Sequence, residues 1–343
     1  MIEKAAIIIL TQSSEVRRTY LKTTLYFLFR FFNAAYQYPV RILVESDYQE
    51  RWKEEIRLSV RSQYRHLISF KEIKASCFDT PPFIDSNRLA RNLSAMPVPY
   101  WRNERYRAMC RFWLTDFFDY VTDLDYYMRL DDDALIEEPI HLDLFQLMVE
   151  KGLTYISNMV HIDCPVCCYG MKDFFKSLIV DDLSKQTILE TLYHPSHINP
   201  SMISNLLDKP LMRSDESVIV APMPMMYYNN FHVTDLRFWR RPEVVKALHQ
   251  VDQTGNTFYF RWGDAPIQTM IVHLFGVGKE GTIKFRYSKR LQRESFEDNI
   301  GHFHSFMPAD YDNTSCVSYK PANGANGAVS EKNTNKVPDV IRL

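Results

Sequence analysis

The chain has 343 residues, 41 basic and 42 acidic, for a formal net charge of −1, and it is 46% hydrophobic and 14% aromatic with only 10 Gly. That composition builds a large apolar core and excludes disorder over most of the length. The balanced charge lacks the basic surplus that neutralises phosphates along a polynucleotide, so no nucleic-acid partner is expected.

Residues 4–10 form an apolar run ended by Thr11, Gln12, Ser13 and Ser14. It is too short to span a bilayer and lacks the basic start and small-residue cleavage site of a signal peptide, so it predicts a buried strand. A helix is predicted from residue 15 to about residue 35, with Ser14 as its N-cap. Tyr38 and Pro39 break it, and residues 41–44 read as a second strand. Strand, helix, strand in that order predicts a parallel βαβ unit. Its first polar loop then lies at the carboxyl edge of the sheet, where open α/β sheets bind nucleotides. A Gly-x-Gly-x-x-Gly fingerprint is missing, so a dinucleotide fold has no direct support.

Further on, residues 50–65 predict a charged surface helix. Residues 76–100, with Pro81, Pro82, Pro97 and Pro99, predict a loop. Residues 105–120 have helical periodicity. Residues 126–130 predict a short strand ending in Asp131, Asp132 and Asp133, with an apolar continuation over 134–136 stopped by Pro139. Another strand is predicted at 154–160. Residues 170–210 read as helical with an interruption at 194–200, and 231–274 alternates strand and helix signals. From Pro321 onward the chain is poor in apolar residues and predicts a disordered tail. The expected organisation is one catalytic-size domain over 1–320 followed by the tail at 321–343. No apolar run reaches the roughly 20 residues of a transmembrane helix.

Four motifs carry chemistry. In YYMRLDDDALI, three carboxylates crowd the end of an apolar strand. Asp131 and Asp133 point the same way along an extended chain, and like charges held together repel unless a cation lies between them. Hard oxygen ligands suit Mg²⁺ or Mn²⁺, which share their shell with substrate phosphates. A solvated acidic turn is the alternative. In FYFRWGDAPIQTM, an aromatic strand is expected to run into Asp264, which can cap a following helix, bind a sugar hydroxyl or act as a base. In IGHFHSF, His302 and His304 alternate on an extended stretch and can share a site. In CPVCC, Cys164, Cys167 and Cys168 cluster with His161 nearby, but no second Cys or His pair has zinc-finger spacing, so plain thiols are expected.

Taken together, NAAYQYPVRILVES, ERYRAMCRF, DYYMRLDDDALIEEPIHLDLFQLM, YYNNFHVTDLRFWR, TGNTFYFRWGDAPIQTMIVHLF and IGHFH resemble the fungal-type α-1,2-mannosyltransferases, the glycolipid 2-α-mannosyltransferase family (glycosyltransferase family 15). The resemblance runs from about residue 4 to residue 308. It implies a GT-A-like α/β fold with a mixed central sheet, a divalent metal (usually Mn²⁺, with Mg²⁺ the alternative) and transfer of mannose from GDP-mannose to a mannose hydroxyl with retention. The implied partners are the nucleotide sugar and a glycan acceptor. The family's Arg-Val-Glu-Pro-Asn falls on Arg129, Leu130, Asp131, Asp132 and Asp133, so Asp131 takes the acidic position. Metal ligation is thus implied for Asp131, Asp133 and His304, and donor contacts for Thr11, Ser13, Tyr106, Arg111 and Asp131. Asp264 and His232 fall at the catalytic positions.

His232 is a departure. The family has Asn-Phe-Glu-Ile where this chain reads Asn230, Phe231, His232, Val233, and that Glu is its proposed nucleophile. An imidazole does not replace a carboxylate in a covalent glycosyl intermediate. The remaining routes are same-face transfer, in which the leaving phosphate oxygen takes the acceptor proton, or a single inversion using Asp264 or His232 as base. The change also admits another donor, UDP-linked or a pentose, or a non-catalytic glycan binder. Fungal relatives are Golgi type II proteins with an N-terminal anchor. This chain starts at the catalytic strand, so it is expected to be soluble as given, lumenal if an anchor was removed and otherwise cytoplasmic.

Overall fold

Unbroken apolar side chains on both faces make β1 (Ala5–Leu10) a central strand. Its alternation sends Ala5, Ile7 and Ile9 into one core and Ala6 and Ile8 into another. Burying each such isoleucine contributes roughly 1.5–3 kcal/mol. The structure, a computed structural model, describes residues 2–198, 202–203, 206–207 and 219–289. His302, His304 and the 321–343 tail lie outside the described residues.

The strands in chain order are β1, β2 (Val40–Glu45), β3 (Ile68–Ile73), β4 (Tyr126–Leu130), β5 (Ala134–Ile136), β6 (Tyr155–Ser157), β7 (Val160–Ile162), β8 (Tyr193–His194), β9 (His197–Ile198), β10 (Ile219–Val220), β11 (Met223–Tyr227), β12 (Phe231–Asp235), β13 (Glu280–Thr282) and β14 (Tyr287–Lys289). Among the described residues the main sheet has seven strands, in the order β13-β6-β12-β4-β1-β2-β3. From β4 to β3 neighbours run parallel, whereas β12 runs antiparallel to both β4 and β6. The sheet is therefore mixed. The carboxyl ends of β1 and β4 and the start of β12 share one edge, and that edge carries the site.

The predicted βαβ unit is present. Ser14 caps the Glu15–Leu28 helix by accepting from the Arg17 N–H at 3.2 Å, and a π-helical turn at Phe29–Asn33 follows. The Glu50–Leu58 helix is shorter than predicted and passes into a 3-10 turn at Ser62–Leu67. The 105–120 periodicity divides into a Glu104–Phe112 helix and a 3-10 turn at Asp116–Tyr120, and the strand predicted at 154–160 into β6 and β7. Helices Met171–Leu178 and Leu183–Thr191 occupy the start of the 170–210 region, with short strands after them.

Two expectations fail. Residues 76–100 are not a plain loop, because a helix at Ser86–Ala95 stands between the two proline pairs. Asp85 caps it, accepting from the Arg88 N–H at 2.7 Å. The prolines bracket the helix instead of excluding it. The aromatic run before Trp262 is not a strand but a helical turn, Asn256–Tyr259. Gly255 enters it with φ +67°, where a Cβ would meet the Tyr259 ring at 2.7 Å. Among the described residues, no helix is long and apolar enough to cross a membrane.

Candidate active site

The acidic motif is a turn between β4 and β5, closed by the Ala134 N–H donating to the Asp131 carbonyl at 3.0 Å. The turn gives its three carboxylates different surroundings. Asp132 is fully buried. It accepts from Thr11 Oγ1 at 2.7 Å and Arg17 Nε at 2.9 Å, while its carbonyl accepts from Thr24 Oγ1 at 2.9 Å. It therefore ties the Glu15–Leu28 helix to the sheet edge. Burial pushes its carboxyl up to about 7 against the pull of Arg17.

Asp131 and Asp133 converge on Lys289, although Asp133 Oδ2 also accepts from Arg17 Nη1 at 3.3 Å. The ammonium lies 2.6 Å from Asp131 Oδ2 and 3.7 Å from Asp133 Oδ1. Pairing of β14 with β5 sets Lys289 opposite Ala134 and so delivers it to the turn. Burial would raise the Asp131 carboxyl, but Lys289 and Arg129 outweigh it and hold it down at about 2.

Arg129 is the bridge to the second motif. It is buried in β4, donating from Nε to Asp131 Oδ1 at 3.1 Å and from Nη1 to Asp264 Oδ2 at 2.6 Å. Its guanidinium lies over the Trp113 ring at 4.0 Å from the centroid. A buried guanidinium needs such pairing, because an unpaired charge in the interior costs several kcal/mol. Asn229, just before β12, also donates to Asp264 Oδ2 at 2.8 Å and to Gln268 Oε1 at 3.0 Å. Asp264 opens the Asp264–Ile271 helix, whose N-cap is Gly263. Its carboxylate is spent on Arg129 and Asn229, so it does not act as a side-chain cap.

A cavity of about 230 Å³ opens on this edge, lined by Thr11, Arg17, Arg105, Tyr106, Asp131 and Lys289 among others. Thr11, Tyr106 and Asp131 are thus brought together. Ser13 and Arg111 are not. Ser13 hydrogen-bonds Asp47 outside the cavity. Arg111 is held by Asp252 at 2.8 and 2.9 Å and by Asp116 at 3.1 Å, lining a separate cavity of about 730 Å³ that contains none of the acidic turn. The chemistry, not the volume, singles out the smaller cavity.

His232 does not reach either cavity. It is fully buried in β12, with Nδ1 3.1 Å from the Asn229 carbonyl, Nε2 3.0 Å from the Tyr127 hydroxyl and its ring stacked on Tyr155. Burial, with the Arg129 charge, pulls its pKa down to about 3, so the ring is neutral. Its burial and the engagement of both nitrogens speak against a base role for His232.

No motif assigned a site role to Arg17, Arg129, Lys289 or Asn229. Arg129 had a signal, since an arginine inside an otherwise apolar strand must find a carboxylate. Lys289 had none, lying 158 residues from its partner Asp131.

The residues fit a hard divalent cation. The donor set is all oxygen, and Asp133 Oδ1 is buried with no hydrogen-bond partner. Asp131 and Asp133 would supply two ligands to such an ion. Among the described residues no group of three or more His, Cys, Asp or Glu side chains gathers around one point.

The model of the glycolipid 2-alpha-mannosyltransferase family matches residues 1–286. Glycolipid 2-alpha-mannosyltransferase 1 of Candida albicans is 24% identical over 282 residues, covering 80% of this chain and 56% of that protein. The glycolipid 2-alpha-mannosyltransferase of Saccharomyces cerevisiae is 23% identical over 280 residues, covering 79% and 57%. The chain thus spans little more than half the length of these relatives. Among solved structures, the mannosyltransferase Ktr4p from S. cerevisiae in complex with GDP superimposes with a TM-score of 0.68 at 19% identity, covering 83% of this chain and 70% of that one. Core-mannan synthase A from Aspergillus fumigatus in its Mn/GDP form gives 0.65 at 20%, covering 84% and 74%. The mixed sheet and these superpositions show a GT-A-like fold, and the match over residues 1–286 shows that the chain belongs to the glycolipid 2-alpha-mannosyltransferase family.

Proposed function

We propose that the chain is a metal-dependent glycosyltransferase that moves mannose from GDP-mannose onto a glycan hydroxyl with retention. The observation that carries the reading is the convergence of Asp131 and Asp133 on one positive centre at the carboxyl edge of the sheet, beside a cavity lined by Arg17, Arg105 and Lys289. Support comes from the relatives with this fold that were solved with GDP and with Mn/GDP.

Asp131 and Asp133 would hold Mn²⁺ or Mg²⁺, and His304 is proposed as a further ligand. The bound cation supplies charge neutralisation for the leaving diphosphate. Arg17 and Arg105 stand on the same cavity wall, Arg17 paired with Asp132 and Asp133 and Arg105 with Glu45, and Tyr106 lines it beside them. Asp264 is buried and lines neither cavity; Arg129 and Asn229 hold its carboxylate, and contact with a sugar hydroxyl is proposed for it only as an acceptor of fixed orientation. With Oδ2 already engaged by two donors, it is a poor mobile base. His232 offers neither a carboxylate nor access. Same-face transfer, in which a donor phosphate oxygen takes the acceptor proton while these residues keep the reactants aligned, fits these constraints.

A donor panel tests this. Purified protein with Mn²⁺ is incubated with GDP-mannose, UDP-hexoses and a UDP-pentose, and free nucleotide and product anomer are measured. Release of GDP from GDP-mannose with an α-linked product is expected. Turnover of a UDP-sugar alone would reassign the donor, a β-linked product would reject retention, and Mn²⁺-dependent nucleotide binding without any turnover would make the chain a non-catalytic binder.

A further inference from the structure

A second chemical cluster lies outside the site. Cys164-Pro165-Val166-Cys167 forms a turn, closed by the Cys168 N–H donating to the Cys164 carbonyl at 3.1 Å. That bond folds Cys164 and Cys167 onto one tight turn. These thiols differ in access: Cys164 is partly exposed, whereas Cys167 and Cys168 are buried. Hydrogen bonding from Cys167, with the backbone N–H groups of the turn, draws the Cys164 thiol down to about 7 in spite of burial.

Behind the pair, Arg261 donates to Cys167 Sγ from Nε at 3.0 Å and Nη2 at 2.7 Å. Arg261 is itself unusual: its φ of +68° places a non-glycine residue in the left-handed region. It stands three residues before Asp264. The thiols do not form a metal-ligand group of three among the described residues. What remains is a partly exposed, activated sulfur beside a buried one in a C-x-x-C turn, the arrangement of a nucleophile and its resolving thiol.

We propose that Cys164 and Cys167 are a reversible dithiol–disulfide pair whose co-reactant is a low-molecular-weight disulfide. The Cys164 thiolate attacks one sulfur of the co-reactant, forming a mixed disulfide and releasing one thiolate, which takes up a proton. Cys167 then gives up its proton and attacks Cys164 Sγ, expelling the second small thiol. The protein dithiol loses two electrons and two protons, and the disulfide gains both to become two thiols. The reverse exchange restores the pair.

The test is thiol mapping by mass spectrometry on the full chain, equilibrated in glutathione buffers from fully reduced to fully oxidised, acid-quenched and alkylated after unfolding. The expected result is joint loss of alkylation at Cys164 and Cys167, recovery of a 164–167 intramolecular disulfide, and full reversal on reduction. Cys167→Ser should trap glutathione on Cys164. Cys164→Ser should slow adduct formation at Cys167 by at least about tenfold, since that sulfur is buried. The proposal is overturned if both remain thiols across the range, if wild type stops at the mixed disulfide, or if the bridge joins either cysteine to Cys168. Should a serine variant fail to fold by circular dichroism, the wild-type map decides alone.

Discussion

Arg129 and His232 face each other in register across β4 and β12, yet they solve burial in opposite ways. Arg129 keeps its charge and exports it to the sheet edge through Asp131 and Asp264. His232 gives up its charge and satisfies both ring nitrogens with neutral partners. The comparison teaches that this sheet concentrates ionic chemistry at its carboxyl edge and keeps the interior of β12 neutral. The family resemblance implies a carboxylate at position 232; here that position holds a buried, neutral imidazole, and the charged groups lie at the edge.

The largest effect expected comes from breaking the charged side. Arg129→Met removes the cation shared by two carboxylates, and breaking a buried pair in this way costs about 3–5 kcal/mol. Urea unfolding should show the midpoint falling accordingly. Arg129→Lys should recover only part of it, because one ammonium cannot reproduce the fork that spans Asp131 and Asp264. Equal stability of Arg129→Met and wild type would remove the bridge from the account.

Next is the edge itself. Losing an outer-shell partner of a metal site typically costs about 10–100-fold in affinity, so loss of a ligand lies at or above the top of that range. Asp131→Asn is therefore expected to weaken Mn²⁺-dependent GDP binding by about 100-fold or more, read by titration calorimetry with and without Mn²⁺. Asp132→Asn should act differently, loosening the tie between the Glu15–Leu28 helix and the turn, so its main effect is on stability. If both variants lost Mn²⁺-dependent binding equally, the division of labour within the turn would be wrong.

The neutral side predicts a pH dependence. The folded pKa of His232 lies below its unfolded value, so the unfolded chain binds a proton that the folded one refuses. Stability from this group is complete above about pH 6.5 and is lost as pH falls toward 3. At pH 5 the loss amounts to roughly 2 kcal/mol by linkage. Asp132 works against it, since a carboxyl raised in the fold gains stability as pH falls between about 7 and 4. The difference between wild type and His232→Gln removes the Asp132 contribution. Unfolding free energies at pH 7.5 and 5 should therefore converge for the two proteins as pH drops. A constant gap would mean that His232 titrates normally.

Much of this was legible from residue order. The unbroken apolar run at residues 4–10 and the N-cap at Ser14 announced the first βαβ unit, and the abrupt apolar-to-acidic change after Leu130 marked the edge. The failures share a physical cause. Proline content alone hid the Ser86–Ala95 helix because a capping aspartate and two proline brackets look like loop. Aromatic content alone made a strand of Asn256–Tyr259, where Gly255 and its positive φ set the turn. Lys289 and Arg17 were invisible because their role comes from strand pairing and helix docking, which no local pattern records.

Arg111 supplies the smallest expected effect and the sharpest limit on the edge. It belongs to a motif of the family resemblance, yet Asp252 and Asp116 hold its guanidinium away from the acidic turn. Arg111→Ala should cost about 1 kcal/mol of stability, because its pairs are partly solvated and charge-assisted bonds there are worth little more. GDP affinity in Mn²⁺ should stay within about twofold of wild type. A tenfold loss of nucleotide affinity without a matching loss of stability would show that the larger cavity takes part in donor binding and that the ionic edge extends outward to include it.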